Sequence, residues 1–209
     1  MTTPADPTTF WNAHYGQKPQ VWSGRPNGVL VDEVGDLAPG TALDLGCGEG
    51  ADAVWLAAGG WSVTAVDVSD TALDRAQRAA RSEGVDGEIT WERHDLAESF
   101  PAGTYDLVSA QFLQSPIEFP VERILMSAAT AVAPGGTLLI VSHAAPPSWA
   151  TGHDHPPGRF PNPTATATAL GLDRPSWDLL VCERRERAAT SPTGGPGVHV
   201  DGVVRARRR

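Results

Sequence analysis

A chain of 209 residues with 41% hydrophobic content is long enough for one domain with a sizeable core. A formal net charge of −9 argues against the basic groove that a nucleic-acid substrate requires, and two cysteines cannot supply a disulfide framework. There is no apolar run of about 18 residues to span a bilayer, and the opening MTTPADPTTF has neither the basic nor the apolar segment of a secretory leader. The expectation is a cytoplasmic protein with no nucleic-acid or membrane partner, monomeric or homodimeric.

In chain order, residues 1–7 read as disordered, and Thr8 to about Gly16 as a short helix carrying Phe10, Trp11, His14 and Tyr15. The segment QKPQVWSGRPN breaks that pattern. Asn27 then caps a helix to about Gly35. A first strand, Ala42–Leu45, runs into glycines at 46, 48 and 50. A helix, Ala51–Ala58, and a second strand, Trp61–Val66, follow and end on Asp67. Ser69 caps a helix to about Glu83 with Ala72, Ala76 and Ala79 on its inner side. Strands are predicted at Glu88–Arg93 and Tyr105–Ala110, a helix at Glu118–Val132, a break at Pro134-Gly135-Gly136 and a fifth strand at Thr137–Val141. The proline-rich segment Ala145–Pro163 reads as irregular, with a weak helix at Thr164–Leu170 after it. Two alternating segments, Leu179–Glu186 and Val198–Arg207, close the chain as a hairpin. The basic RARRR at Arg205–Arg209 reads as a solvated end.

Strand, glycine loop, helix, strand and terminal acid form half of a nucleotide-binding α/β unit. Gly46, Gly48 and Ala51 would satisfy the dinucleotide pattern G-x-G-x-x-G/A, and Asp44, Gly46, Gly48 and Gly50 satisfy D-x-G-x-G-x-G. Leu43–Gly50, LDLGCGEG, strongly resembles the first motif of the class I S-adenosylmethionine-dependent methyltransferases. The resemblance implies a Rossmann-like, doubly wound, mostly parallel seven-stranded sheet of order 3-2-1-4-5-7-6, with strand seven antiparallel. It divides the chain into an N-terminal aromatic lid with helices, residues 1–36, and a cofactor-binding core, residues 37–209.

The same resemblance assigns the site. The loop Gly46, Cys47, Gly48 and Gly50 packs its amides on S-adenosylmethionine, or on its product S-adenosylhomocysteine. Asp44 orients the cationic amine and Asp67, followed by Val68, takes the ribose hydroxyls. Asp95 and Leu96 meet adenine, while Ala110 and Gln111 hold the methionine end. Asp67 as a strand-end cap, Asp95 as a turn residue and Phe112 as core packing are the plainer alternatives.

The segment FWNAHYGQKPQVWSGRPN resembles the lid of small methyltransferases of the thiopurine and tellurite-resistance kind. That implies a small-molecule acceptor, a thiol or other soft heteroatom, lined by Trp11, Tyr15, Trp22, Arg25 and Phe112. His14 and His143 are the candidate bases. His153 and His155 have the spacing of a metal pair but lack a third ligand, and no metal is expected. The alternatives are an O- or N-methyltransferase of a small metabolite, a dinucleotide-dependent oxidoreductase and a non-catalytic cofactor-binding module. The oxidoreductase is disfavoured because Lys18 is the only lysine and no Tyr-x-x-x-Lys exists.

Overall fold

The alternation of apolar residues along each inner strand decides the layering. In the computed structural model, which describes residues 6–150 and 160–209, the strands are β1 (Thr41–Leu45), β2 (Ser62–Asp67), β3 (Ile89–Arg93), β4 (Tyr105–Gln111), β5 (Val132–His143), β6 (Trp177–Thr190) and β7 (Pro196–Arg208). They form one sheet of order 3-2-1-4-5-7-6, with β7 antiparallel to both β5 and β6. This is the sheet that the resemblance implied.

Successive side chains point to opposite faces. Leu43, Leu45, Val108, Ala110, Leu138, Ile140, Val204 and Ala206 therefore pack on one face, with α5 (Val121–Thr130) and α6 (Pro163–Ala169). Ala42, Val63, Ala65, Leu107, Leu139 and Val203 pack on the other, with α2 (Gly28–Val34) and α3 (Ala51–Ala58). The helix α4 (Asp70–Glu83) adds Ala80 to that second layer, whereas Ala79, expected on the inner side, is exposed, because Ala72, Ala76 and Ala80 recur every four residues on the buried stripe. It starts at Ser69, whose Oγ accepts from the Ala72 N–H at 3.2 Å. The first helix, α1 (Pro7–Gly16), starts at Asp6, whose side chain accepts from the Thr9 N–H.

Five further expectations need correction. Asp6 and Pro7 are ordered at the start of α1, because an acceptor side chain followed by proline makes a sound helix start; Met1–Ala5 lie outside the described residues. Asn27 stands at the head of α2 without capping it, its amide being committed to Asp52 instead. The α5 helix spans only Val121–Thr130, since Pro120 disfavours helical backbone at Phe119. Pro134-Gly135-Gly136 does not precede the fifth strand but bulges within it. Register passes from Tyr105↔Val132 to Leu107↔Thr137, Gly135 sits at φ 81°, and a Cβ on Gly136 would meet backbone oxygens at 2.9–3.0 Å.

The fifth correction is the basic end. Arg205–Arg208 belong to β7, and Val203, Val204 and Ala206 alternate into both cores. Arg205 pairs with Glu33, Arg207 and Arg208 donate to the carbonyls of Gly135 and Val132, and Arg209 pairs with Asp178. Among the described residues no helix is long and apolar enough to cross a membrane.

Candidate active site

Parallel partners in register share a face, which fixes what gathers at the carboxyl ends of β1 and β4. Asp44 is in register with Ser109, so Asp44, Ser109 and Gln111 point to the same side. Gln111 Nε2 donates to Ser109 Oγ at 3.0 Å. Among the described residues, nothing hydrogen-bonds Gln111 Oε1 or Asp44 Oδ2, and both are buried. Burial, then the charges of Asp52 and Asp67, push the Asp44 carboxyl well above its ordinary value. Two bare acceptors beside a cluster of acids form a site for a cationic donor.

The glycine loop above them is bare for a reason. Gly46, Gly48 and Gly50 have φ of 69°, 54° and 82°, left-handed values that favour glycine. A Cβ on them would meet Leu113 Cδ1 at 2.6 Å, Tyr15 Oη at 2.9 Å and Ala76 Cβ at 2.6 Å respectively. The Cys47 N–H donates to the Val66 carbonyl at 2.9 Å, and burial raises the Cys47 thiol. Asp67, at the end of β2, accepts from the Gly48 N–H on one oxygen and the Ser69 N–H on the other, each at 2.9 Å. Burial raises its carboxyl despite the bonds from Ser69, Gly48 and Val68. Asp95 opens the turn after β3 with Oδ1 accepting from the Ala97 N–H at 2.9 Å, and Leu96 is buried. The orphaned acceptors and the bare loop fit S-adenosylmethionine, which presents an amine cation, a sulfonium and two ribose hydroxyls.

The segment before α2 folds onto this loop. Tyr15 is buried, its hydroxyl accepts from Trp22 Nε1 at 3.2 Å, and burial and the Asp67 charge raise its ionisation well above the ordinary value. Trp11 and His14 stack edge-on at 5.3 Å, and His14 lies 6.1 Å from the Trp22 ring. His14 Nε2 is buried without a hydrogen-bond partner among the described residues. Arg25 is exposed, and among the described residues no ion pair engages it. Phe112, just past β4, and His143, the last residue of β5, form a separate group with ring centroids 4.5 Å apart.

Sequence reasoning missed the residues that tether the lid. Glu49 accepts from the N–H groups of Val21 and Trp22 at 3.0 and 2.9 Å and pairs with Arg75 Nη1 at 2.7 Å. Arg75 Nη2 also donates to the Lys18 carbonyl at 2.8 Å. Asn12 Oδ1 accepts from Ser69 Oγ at 2.7 Å, and Asp52 takes both the N–H and the amide of Asn27, each at 2.7 Å. Glu49 and Asp52 fill unspecified positions of the motif region, so only their acidity could have drawn notice. Among the described residues no three His, Cys, Asp or Glu side chains gather as metal ligands; His153 and His155 lie outside them.

Residues 42–136 match a family described as the methyltransferase domain. The ribosomal RNA small subunit methyltransferase C of Chromohalobacter salexigens is 33% identical over 120 residues, which are 56% of this chain and 35% of that protein. The chain thus spans about a third of that curated relative's length. A solved structure from work on the conversion of a disulfide bond into a thioacetal group during echinomycin biosynthesis superposes with a TM-score of 0.72 at 22% identity, covering 97% of this chain and 92% of the other. TehB from Haemophilus influenzae superposes with a TM-score of 0.68 at 19% identity, covering 98% and 68%. At these identities the two structures establish the fold.

Proposed function

We propose that this chain, a class I S-adenosylmethionine-dependent methyltransferase over its matched domain, transfers the cofactor's methyl group to a small-molecule thiol or other soft heteroatom. One observation carries the cofactor reading: Asp44 Oδ2 and Gln111 Oε1, at the ends of adjacent strands, are buried and have no hydrogen-bond partner among the described residues. An ammonium group would satisfy both and relieve the raised Asp44. Asp67 would accept from the ribose hydroxyls with its remaining lone pairs, and Asp95 with Leu96 would receive adenine. When bound, the cofactor supplies an electrophilic methyl on a sulfonium. The chain's residues orient it, and the lid excludes water.

Several features favour a small, soft acceptor. The lid is aromatic and lies directly over the loop, with Tyr15 and Trp22 closest to Gly48. The echinomycin structure comes from work on the conversion of a disulfide bond into a thioacetal group, which is chemistry at sulfur. The relative from Chromohalobacter salexigens is named for ribosomal RNA. Against such an acceptor here stand the charge of −9 and the engagement of Arg205, Arg207, Arg208 and Arg209 in pairs or backbone bonds. Two free thiols, Cys47 and Cys182, suit a reducing compartment, and we place the protein in the cytoplasm on that basis.

Calorimetric titration with S-adenosylmethionine, S-adenosylhomocysteine and NAD, followed by methyl-donor consumption across thiols, chalcogen oxyanions, phenols and amines, tests the reading. Binding of the first two and turnover with thiols is expected. Binding of NAD alone would overturn the cofactor assignment, and turnover confined to amines or RNA would overturn the acceptor.

A further inference from the structure

Beyond the acceptor side of the glycine loop lies a polar cluster that the methyltransferase motifs do not contain. His143 closes β5 in register with Asp201 of β7. Asp201 is 1% exposed. Its Oδ1 lies 3.3 Å from His143 Nδ1, and its Oδ2 accepts from Arg187 Nε at 2.8 Å. Arg187 stands on β6 opposite His199, and the His199 ring stacks on His143 at 5.4 Å. Burial alone would raise the Asp201 carboxyl, but the bonds from His143 and Arg187 hold it below its ordinary value, so it is ionised.

This cluster adjoins the cofactor loop through one short segment. Phe112, whose ring covers His143, has φ 53°, the only positive φ of a non-glycine among the described residues. Such strain persists only where the surroundings hold it, and here the Phe112 N–H is fixed to the Val141 carbonyl at 2.7 Å. The next residue, Leu113, is the one a Cβ on Gly46 would strike. Gln114 Oε1, two residues on from Phe112, accepts from the His143 N–H at 2.8 Å.

We infer that His143 is the general base for an acceptor whose nucleophile is protonated, an alkyl thiol first among them, and that Asp201 is its positioning residue. The inference rests on the methyl-transfer reading. A buried carboxylate at Nδ1 places the imidazole proton there and leaves the lone pair on Nε2. The His143 side chain is 40% exposed, and among the described residues no hydrogen bond engages its Nε2. In the step, the acceptor's S–H proton goes to Nε2 while the sulfur's electron pair forms the bond to the methyl carbon. The methyl–sulfonium bond breaks with its pair on the departing sulfur, and the imidazolium then gives its proton to water. Among the described residues, Asp201, Arg187 and His199 are the charged and titratable groups that face His143, and Arg187 grips both Asp201 oxygens, Nε on Oδ2 at 2.8 Å and Nη2 on Oδ1 at 3.4 Å.

Nitrogen-15 NMR of the unliganded protein reads the tautomer without turnover, with His143→Gln identifying the signal. The Nδ1–H form is expected in the parent; an Nε2–H form there would overturn the inference whether or not any variant folds. In turnover, His143→Gln should lose about 10²- to 10⁴-fold with an alkyl thiol, and the loss should narrow at least about tenfold with an aromatic thiol already ionised at the assay pH. Asp201→Asn should lower kcat at least about tenfold with KM and cofactor affinity unchanged. Equal losses with both thiols, or full alkyl-thiol turnover in His143→Gln, would overturn the base assignment alone. A parent that neither binds nor consumes S-adenosylmethionine would overturn the underlying reading instead.

Discussion

Replacing Asp44 by asparagine should make the unliganded protein more stable and the liganded one weaker. The Asp44 carboxylate is 2% exposed, its Oδ2 has no hydrogen-bond partner among the described residues, and Asp52 and Asp67 add like charge. A carboxyl whose folded value is raised carries no penalty below its unfolded value of about 3.9, and the penalty grows as pH rises through the folded value. At neutral pH, a buried group without a partner costs about 1–3 kcal/mol, and more when charged. Asparagine keeps the volume and removes the charge, so at pH 7 the unliganded Tm should rise about 2–4 °C for each kcal/mol recovered. Near pH 4 the two proteins should melt much closer together. Cofactor affinity should move the other way, because a hydrogen bond to a charged group contributes about 1.5–3 kcal/mol, or roughly 10- to 150-fold. Scanning calorimetry against pH and titration calorimetry with S-adenosylhomocysteine measure the two effects. A variant that melts below the parent at pH 7, or binds the product as tightly, would refute the reasoning.

Asp67→Ala should weaken cofactor binding by at least about tenfold, and it should also loosen the loop, since the Gly48 and Ser69 N–H groups lose their acceptor; unchanged affinity would show that Asp67 is not the ribose acid. Glu49→Gln should raise amide exchange of residues 18–22, because a part-buried carboxylate bonded to two N–H groups and Arg75 loses its charge. Roughly a tenfold effect is expected, at the low end of 1.5–3 kcal/mol owing to partial exposure. The same tether should weaken in acid: bonds from Trp22, Arg75 and Val21 outweigh burial and lower the Glu49 carboxyl, so its contribution is present above about 4.3 and lost as pH falls through the lowered value. Deleting residues 1–22 should cut turnover far more than it lowers the unfolding temperature of the sheet, and S-adenosylhomocysteine should increase exchange protection of Phe10–Asn27; equal protection with and without it would make the segment a fixed structural element.

The parts legible in the sequence are those with a local signature. LDLGCGEG, the Ser69 cap and the apolar alternation of the inner strands each announce themselves within a few residues, and the strand order came with the first motif. What escaped was set by partners far away in the chain. Asn27 has the composition of a cap, yet it bonds Asp52, 25 residues on. Arg205 has the look of a solvated end until Glu33, 172 positions away, is placed beside it. Pro134-Gly135-Gly136 has turn chemistry, and only the pairing with β4 shows that the strand continues through it. Likewise Asp201 lies 58 residues from His143, with no periodicity linking them.

The insertion of β7 between β5 and β6 carries a kinetic meaning. β6 precedes β7 in the chain but touches the sheet only through it, so β6 has no docking edge until its successor has found β5. The unit 3-2-1-4-5 can form first through its own crossovers, leaving β5 as an open edge able to pair with a foreign strand. Arrival of the hairpin is then a late event that closes the edge. Interactions made there, such as Glu33 with Arg185 and Arg205, would be weak in the folding transition state. Their removal should hasten unfolding far more than it slows folding. These arginines would then act on the protein's lifetime, as distinct from the speed with which it forms.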